Sequence, residues 1–264
     1  MKKLFSHLLL IVAVISFVSC SNKSQDSHVD KADDDCSKVH WSYVEGEDGP
    51  DKWKDLCSGF SACGGEAQSP INISSNESML STELNSLNVN YTTTNVDIVN
   101  NGHTVQFNVS GENTTTIGEK EYKLLQFHFH SLSEHTIDGN HYPIEVHFVH
   151  KFSDSDFAVL GVMYEEGEAY DLFTNYLSHF PHSKGEYSSE ETITLSELLP
   201  SSLNYYNYNG SLTTPPCSEV VNWYVVQTPV TASAEQIEEM SKILHGNYRP
   251  VMPLNGRTVL RFEN

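Results

Sequence analysis

The segment Gln-Phe-His-Phe-His places two histidines two residues apart within an apolar run, and histidine is the commonest metal ligand among the side chains. In a β-strand, residues two apart share a face, so Gln126, His128 and His130 point the same way. Phe127 and Phe129 point the other way, and we expect them to pack in a core. The pattern predicts that the paired imidazoles face a cavity and bind a ligand there.

A third histidine lies on the next predicted strand, where Glu145, His147 and Val149 share a face. The Asp-Gly-Asn sequence at 138–140 is a turn signal, and an antiparallel neighbour would bring His147 beside the first pair. Three neutral imidazoles with a fourth position open are typical of a catalytic zinc site. Copper, nickel and iron also accept imidazole, so the ligand type by itself leaves the metal open.

A competing interpretation is a cupin-type metal protein. The spacing from His128 through His130 to Glu134 is HxHxxxE, which resembles the first metal motif of cupins, and there Glu134 would be a metal ligand. Cupins add a later motif that contains Gly, Pro and another histidine. No good match to that motif follows His150, which weakens this alternative.

The elements that must position these residues are mainly strands. Short apolar or alternating segments separated by Gly, Asn and Asp predict strands at 87–91, 96–99, 103–109, 122–130, 143–151, 157–164, 220–227 and 257–262. Only two segments read as helices. The stronger is Ser233–Leu244, with Ser233 as N-cap, Gln236 three residues later and Gly246 after the end, and the weaker is Tyr170–Leu177. Many strands and few helices predict a mainly β, single-domain fold with one large sheet or a barrel-like core.

The N-terminus has the features of an export signal. Lys2 and Lys3 precede the apolar stretch Leu8–Val18, which is short for a membrane span, and Cys20 ends the segment. The ending resembles a bacterial lipoprotein signal, so residues 1–20 are predicted to be a signal peptide that leaves Cys20 as a lipidated first residue. Polar residues 21–39 then form a flexible tether, and residues 40–264 form the folded domain.

Charge and cysteine content limit the partners and the compartment. The chain has 15 Lys and Arg against 35 Asp and Glu, a net charge of −20, which argues against nucleic-acid binding. Five cysteines occur, and four remain if Cys20 carries lipid. An even set in an exported protein predicts disulfides, although the spacing leaves three pairings open. No CxxC motif occurs, which argues against a thiolate zinc site.

From His40 to about Phe262 the sequence resembles the alpha-class carbonic anhydrases. The motifs occur in order and are specific: QSPINI at 68–73, NNGH at 100–103, QFHFH at 126–130, SEHT at 133–136, EVHFVH at 145–150, AVLGV at 158–162, GSLTTPPCSE at 210–219 and NYRPVMPLNGR at 247–257. The resemblance implies a central, mostly antiparallel, twisted sheet of about ten strands with short peripheral helices. It also implies a zinc-dependent carbonate dehydratase.

The resemblance assigns roles to residues of the site. His128, His130 and His147 correspond to the zinc ligands, and Gln126 and Glu145 to the groups that accept the outer ring N–H of two ligands. Thr213 and Glu134 correspond to the pair that orients a zinc-bound hydroxide for attack on CO₂. Further matching positions are the proton shuttle His103, the apolar CO₂ wall Val149, Val159, Leu212, Val221 and Trp223, the pocket residue Thr214, and the water-chain residues Tyr43, Asn101 and Gln106.

The resemblance also bears on cross-links, assembly and the alternative function. Cys63 and Cys217 align with the disulfide of secreted members, and Cys36 and Cys57 are paired by elimination. Bacterial members are often dimers, so a homodimer is compatible with the sequence. The expected setting is the periplasm or the cell surface, with a lipid anchor in a bacterial outer membrane. The alternative is a catalytically inactive, carbonic-anhydrase-like binding protein; such relatives typically lose zinc histidines, and this chain keeps all three.

Overall fold

Fifteen strands lie within residues 35–264, the part of the chain that this computed structural model describes. The strands are β1 (Asn72–Ile73), β2 (Met79–Leu80), β3 (Asn88–Asn90), β4 (Thr93–Asn100), β5 (Val105–Asn108), β6 (Thr114–Ile117), β7 (Lys120–His130), β8 (Thr136–Ile137), β9 (Ile144–Ser153), β10 (Asp156–Glu166), β11 (Gly185–Thr194), β12 (Tyr205–Gly210), β13 (Val221–Val226), β14 (Val230–Ala232) and β15 (Leu260–Phe262). The helices are α1 (Trp53–Leu56), α2 (Asp171–Tyr176) and α3 (Ala234–Leu244). The predicted signal peptide, the lipidation site at Cys20 and most of the predicted tether lie outside the described residues.

One large mixed sheet contains thirteen of the strands in this described region. Its main path runs β11-β4-β5-β7-β9-β10-β13-β12-β15-β2, while β14 pairs with β10, β6 with β7, and β3 with β6. Most neighbours are antiparallel, and the parallel pairs are β10–β13, β10–β14 and β15–β2. Strands β1 and β8 form a separate parallel pair. The prediction of a mostly antiparallel central sheet of about ten strands is confirmed.

The two faces of the central strands carry different apolar clusters, because successive side chains of a strand point to opposite faces. Phe127 and Phe129 of β7 are fully buried in the main core, as the sequence predicts, and Phe127 stacks on Phe107 with ring centroids 4.7 Å apart. On β10, Leu160 belongs to this main core, whereas Val159 belongs to a smaller cluster on the opposite face. The smaller cluster shares its face with the three histidines.

Each of the eight predicted strand segments overlaps an observed strand, but several strands were missed. Strand β11 forms one edge of the main sheet, and its sequence GEYSSEETIT has almost no apolar residues. Strand β12, with the sequence YYNYNG, is rich in Asn and Tyr. Both form because neighbouring strands supply hydrogen-bond partners, and such tertiary pairing outweighs weak local β-propensity.

Helix α3 is confirmed together with its capping box. The Ser233 hydroxyl accepts a hydrogen bond from the Gln236 N–H (3.3 Å), and Gln236 Oε1 accepts one from the Ser233 N–H (3.1 Å). The helix ends with His245 at φ 55°, followed by Gly246 at φ 74°. Helix α2 is confirmed over Asp171–Tyr176, and a 3₁₀ turn, Leu177–His179, continues it.

The last residues of the predicted tether, just before His40, belong to the described structure. Cys36–Lys38 form a 3₁₀ turn, and Cys36 is bonded to Cys57, with their Cα atoms 5.9 Å apart. This bridge ties the beginning of the described chain to the segment around α1. Within residues 35–264, no helix is both long and apolar enough to cross a membrane.

Candidate metal centre

Antiparallel pairing of β7 with β9 brings the three histidines together. His128 lies directly opposite His147 in the strand register, and His130 lies opposite Glu145. The ring centroids are 5.0 Å apart for His128 and His130, 5.2 Å for His128 and His147, and 4.5 Å for His130 and His147. One ring nitrogen from each lies within 4.8 Å of the other two, so a single ion could be reached by all three imidazoles.

The outer ring nitrogens are occupied by oxygen acceptors. His128 Nδ1 donates to Oε1 of Gln126 (2.8 Å), His147 Nε2 donates to Oε1 of Glu145 (2.9 Å), and His130 Nδ1 donates to the backbone carbonyl of Asn247 (2.7 Å). An oxygen acceptor requires the N–H form of the ring nitrogen that faces it. The opposite nitrogens, Nε2 of His128, Nε2 of His130 and Nδ1 of His147, therefore carry free lone pairs and are the candidate metal-binding atoms.

The inner nitrogen of His130 provides a test of whether the residues fit a metal ion. Both His130 and His147 are only 1% exposed. His130 Nε2 is buried and has no hydrogen-bond partner within residues 35–264. Leaving a buried polar atom unsatisfied costs about 1–3 kcal/mol, and a bound cation would satisfy its lone pair. The donor set and this orphaned nitrogen fit a divalent metal ion that accepts imidazole.

Burial favours the neutral form of His128 and His130, which is the form that ligates a metal. Desolvation lowers the pKa of His128 well below its usual value, and the neighbouring His130 and His147 lower it further. Desolvation likewise lowers the pKa of His130, although Glu134 acts against it. Burial by itself would raise the pKa of Glu145, but the charges and hydrogen bonds of His135 and His147 outweigh burial and hold that pKa well below its usual value.

Glu134 is completely buried beside the histidines and is held by the chain near its C-terminus. Its Oε1 accepts a hydrogen bond from the backbone N–H of Arg249 (2.9 Å). Its Oε2 lies 3.5 Å from His130 Nε2 and 3.9 Å from His147 Nδ1. This second oxygen has no hydrogen-bond partner in the described residues, so the expected bond from Thr213 is not formed here. Thr213 is buried in the loop between β12 and β13.

A cavity of about 360 Å³ is lined in part by His103, which belongs to the loop between β4 and β5. The imidazole is half-buried and lies flat on the indole of Trp41, with ring centroids 3.7 Å apart and planes 8° from parallel. Burial lowers the pKa of His103, and the nearby charges of Lys184 and His40 lower it further. This imidazole therefore stays neutral, and able to accept a proton, to a lower pH than an exposed histidine would.

The residues expected in the water chain occupy different places. Tyr43 lines the same cavity as His103. Asn101 is exposed, and its Oδ1 accepts hydrogen bonds from the backbone N–H groups of His103 (2.9 Å) and Thr104 (3.0 Å), which shapes the loop. Gln106 lies opposite His128 across β5 and β7 and donates to Asn108 Oδ1 (2.6 Å).

The apolar residues expected to receive CO₂ all belong to the smaller cluster on the histidine face of the sheet. The buried members are Val149, Val159, Val221 and Trp223, and Leu212 packs against them half-buried. The ring of Trp223 lies 4.8 Å from the ring of His147, so this cluster adjoins the metal centre. Thr214, half-buried, follows Thr213 in the same loop, and its carbonyl accepts a hydrogen bond from the Cys217 N–H (2.8 Å).

Two disulfides connect the surrounding segments. Cys63 is bonded to Cys217, with Cα atoms 4.8 Å apart, and the bridge joins the N-terminal region to the loop that carries Thr213. Both cysteines are buried in a third apolar cluster with Trp53. The second bridge is Cys36–Cys57. Because the chain separation is 154 residues in the first bridge and 21 in the second, only the first joins distant parts of the sequence.

Sequence reasoning missed three residues that hold the site together. Asn247 supplies the carbonyl that fixes His130, and its side chain donates to the carbonyl groups of His103 (2.9 Å) and Phe129 (2.8 Å). Arg249 is buried, and its guanidinium donates to Gln68, Ser69 and Cys63. Trp41 covers His103. Asn247 and Arg249 belong to the NYRPVMPLNGR segment, which the sequence analysis identified as a family motif. Their backbone contacts could not be predicted from it, because every residue type has the same backbone carbonyl group.

Comparison with known proteins gives one consistent result. The family model described as eukaryotic-type carbonic anhydrase matches residues 48–263. The chain is 44% identical over 225 residues to a carbonic anhydrase from Pectobacterium atrosepticum, covering 84% of this chain and 91% of that protein. A carbonic anhydrase from Neisseria gonorrhoeae is 40% identical over 225 residues, covering 84% of this chain and 88% of its own length.

Among solved structures, the fold is similar to the alpha-carbonic anhydrase from Thermovibrio ammonificans in complex with the inhibitor sulfanilamide. The TM-score is 0.80 at 40% sequence identity, over 84% of this chain and 99% of that one. This similarity and the family match replace the cupin interpretation of the HxHxxxE spacing, which was wrong.

Proposed function

Because this chain belongs to the eukaryotic-type, or alpha-class, carbonic anhydrase family and is an enzyme of that family, we propose that it catalyses the reversible hydration of CO₂ to bicarbonate and a proton with zinc. The zinc ligands are His128, His130 and His147. One observation carries the proposal: three inner ring nitrogens converge while every outer nitrogen is already bound to an oxygen.

The donor set suits a catalytic zinc ion. Three protein ligands with one position open distinguish catalytic from structural zinc sites, which are usually closed by four. In carbonic anhydrases, zinc lowers the pKa of a coordinated water to about 7 and so supplies a nucleophile at neutral pH, a value taken over from the family. Neutral imidazoles leave most of the charge of the cation available for this purpose. We assign zinc, and not another metal that accepts imidazole, because the chain belongs to the carbonic anhydrase family.

Glu134 and Thr213 orient the attacking oxygen. The Glu134 carboxylate is fixed through Oε1 by the Arg249 N–H, which leaves Oε2 free to accept a hydrogen bond from the Thr213 hydroxyl. A Thr213 hydroxyl that donates to Glu134 can only accept from the nucleophile, and this directs the nucleophile's lone pair toward the substrate. Thr214 borders the same pocket.

The apolar wall receives CO₂ and excludes water from it. Carbon dioxide carries no net charge, and a dry surface beside the metal holds it without competing for the ion. The wall consists of Val149, Val159, Leu212, Val221 and Trp223, which already form one cluster next to His147. The proton path runs along the opposite side of the site, which faces the solvent.

His103 carries the product proton from the site to the solvent. An imidazole both accepts and releases protons near neutral pH, and the position of His103 in an open cavity gives access to the solvent. Tyr43, Asn101 and Gln106 hold the waters that connect the metal centre with this ring. A histidine in this role does not need to touch the metal.

The protein acts outside the cytoplasm. We propose that residues 1–20 are the signal peptide, that Cys20 carries the lipid anchor, and that the tether and the domain of residues 40–264 lie in the periplasm or on the cell surface. Two disulfides support an oxidising compartment. The substrates are small molecules, CO₂ and bicarbonate.

Metal analysis combined with CO₂ hydration tests the proposal. The purified protein is expected to contain one zinc ion, to lose hydration activity on removal of zinc by a chelator, and to regain it when zinc is added back. A His147→Ala variant should retain neither zinc nor activity. Full activity of a zinc-free preparation, or full zinc occupancy of the variant, contradicts the assignment. A zinc-loaded protein without hydration activity would instead support the catalytically inactive binding protein.

A further inference from the structure

We propose that the Cys36–Cys57 disulfide is a positioning element for His103, because it anchors the arm of residues 36–41 that holds Trp41 against the imidazole. The inference rests on the proposed function, since it takes His103 as the proton carrier. It assigns a role in turnover to a disulfide that the proposed mechanism does not otherwise use.

The contact between Trp41 and His103 covers one face of the imidazole. The two rings are stacked at 3.7 Å, and Tyr43 lies edge-on to His103 at 6.5 Å. The backbone of His103 is fixed separately, because its N–H donates to Asn101 and its carbonyl accepts from Asn247. The remaining freedom of this residue is rotation of its side chain, and the indole restricts that rotation.

The arm that carries Trp41 is attached to the domain at both ends. At its C-terminal end, the Ser42 N–H donates to the Asp48 carbonyl (2.9 Å), and Trp53 Nε1 donates to the Ser42 carbonyl (3.1 Å). At its N-terminal end, the attachment is the covalent bond from Cys36 to Cys57. The backbone bonds of Lys38 and Val39 remain within the turn, where they are accepted by Asp35 and Cys36.

The residues around the Cys36–Cys57 disulfide leave space for its sulfur atoms. A Cβ atom at Gly59 would lie 2.7 Å from Cys36 Sγ, closer than a side chain tolerates, so the glycine leaves room for the sulfur. Val39 and Trp41 of the arm pack against the apolar cluster that contains Trp53, Cys57 and Phe60. The indoles of Trp41 and Trp53 are edge-on at 5.1 Å. The disulfide therefore fixes the position of Cys36, where the arm begins, and the apolar cluster around Trp53 holds the indole of Trp41 in place.

Without the bridge, the first residue of the arm is free and Trp41 leaves His103 uncovered for part of the time. The imidazole then rotates among several orientations, and the water path to it is broken more often. The metal ligands stand on β7 and β9, away from the arm in sequence, and their hydrogen bonds are made by Gln126, Glu145 and Asn247. Proton export slows, whereas attack on CO₂ continues unchanged.

The test separates kcat, which in dilute buffer reports proton export, from kcat/KM, which reports the attack on CO₂. For the Cys36→Ser/Cys57→Ser variant, kcat in dilute buffer is expected to fall severalfold while kcat/KM and zinc content match the wild type. Added imidazole buffer, which replaces the internal proton carrier, should restore kcat. Parallel losses of kcat and kcat/KM overturn the proposal, because they indicate a general structural role.

Variants that keep the Cys36–Cys57 disulfide test the contact between Trp41 and His103 directly. Trp41→Ala should reproduce the kcat loss, and its combination with the two serines should add nothing, since both changes act through one contact. Trp41→Phe keeps an aromatic face and should retain most of kcat. Gly59→Ala displaces the bridge while leaving both cysteines in place, and it should lower kcat in the same direction if the serine variant proves too unstable to assay.

His103→Ala, measured beside these variants, distinguishes the two ways to fail. If His103→Ala lowers kcat in dilute buffer but neither the bridge variants nor Trp41→Ala do so, the positioning role is overturned and the proposed function stands. If His103→Ala leaves kcat unchanged, His103 is not the proton carrier, and this inference falls together with that part of the proposed function.

Discussion

Oε1 of Glu145 accepts two hydrogen bonds at once, from His147 Nε2 at 2.9 Å and from His135 Nδ1 at 2.7 Å. Its other oxygen accepts from the backbone N–H groups of Glu134 and His135, both at 2.8 Å. All four positions around the carboxylate are thus taken by donors. The carboxylate proposed to orient His147 is itself held by the segment that carries Glu134, so Glu145 and the proposed metal ligand belong to one hydrogen-bond network.

We expect Glu145→Gln to weaken zinc binding about 10- to 100-fold, the usual cost of losing a group that orients a metal ligand. An amide has one acceptor oxygen and an NH₂ group, and the NH₂ would face N–H donors that the carboxylate now satisfies. Competition with a chelator measures the zinc affinity. Glu186→Gln, which removes the same charge from the exposed side of β11, is the matched control and should leave affinity unchanged. Equal affinity in both variants would refute the orienting role.

Turnover in dilute buffer should depend on His103 and not on another histidine of the same cavity. We expect His103→Ala to lower kcat by about 100-fold, the lower end of the usual contribution of a proton-transfer group, and imidazole buffer to restore it. His182 lines the same cavity and is exposed. His182→Ala should retain kcat, and stopped-flow CO₂ hydration compares the two. A comparable loss in both variants would mean that the cavity, not one imidazole, determines proton export.

His150 should make the protein less stable in acid. Burial lowers the pKa of this histidine from 6.5 to about 4, so the unfolded chain binds its proton first as the pH falls. Stability is then lost between pH 6.5 and pH 4, by about 2 kcal/mol at pH 5. Urea unfolding of His150→Gln should show a shallower loss between pH 7 and pH 5 than the wild type. His179→Gln, at an exposed position, should keep the wild-type slope; an unchanged slope in His150→Gln would contradict this account.

Removing the two disulfides should cost different amounts of stability. In the chain-entropy model, a loop of 154 residues contributes up to about 5 kcal/mol and a loop of 21 residues about 3 kcal/mol. Cys63→Ser/Cys217→Ser should therefore lower the free energy of unfolding more than Cys36→Ser/Cys57→Ser. It should also lower kcat/KM, because the loop of Thr213 loses its anchor. Denaturant titration and CO₂ hydration provide the two readouts, and a reversed order of stabilities would show that native-state strain outweighs loop entropy.

The clustering of the three histidines at the candidate metal centre could be predicted, because local rules determine which side chains share a strand face. Alternation along β7 separates His128 and His130 from the core phenylalanines, and the burial of Phe127 and Phe129 follows from that same alternation. The capping box of α3 was likewise visible in Ser233 and Gln236, three residues apart. The missed edge strand β11 shows the limit, since its pairing with β4 depends on a neighbour about ninety residues away in the sequence.

Residue types and their local spacing are enough to predict which side chains share a face, where α3 begins and which family the motifs resemble, because these features depend on residues close together in the chain. The contact of the Asn247 carbonyl with His130, of the Arg249 N–H with Glu134, and of Trp41 with His103 became known from the folded chain alone. The first two are backbone groups that every residue has, and the third joins rings 62 residues apart. Their partners are chosen by how distant segments pack, which residue type and local spacing do not encode.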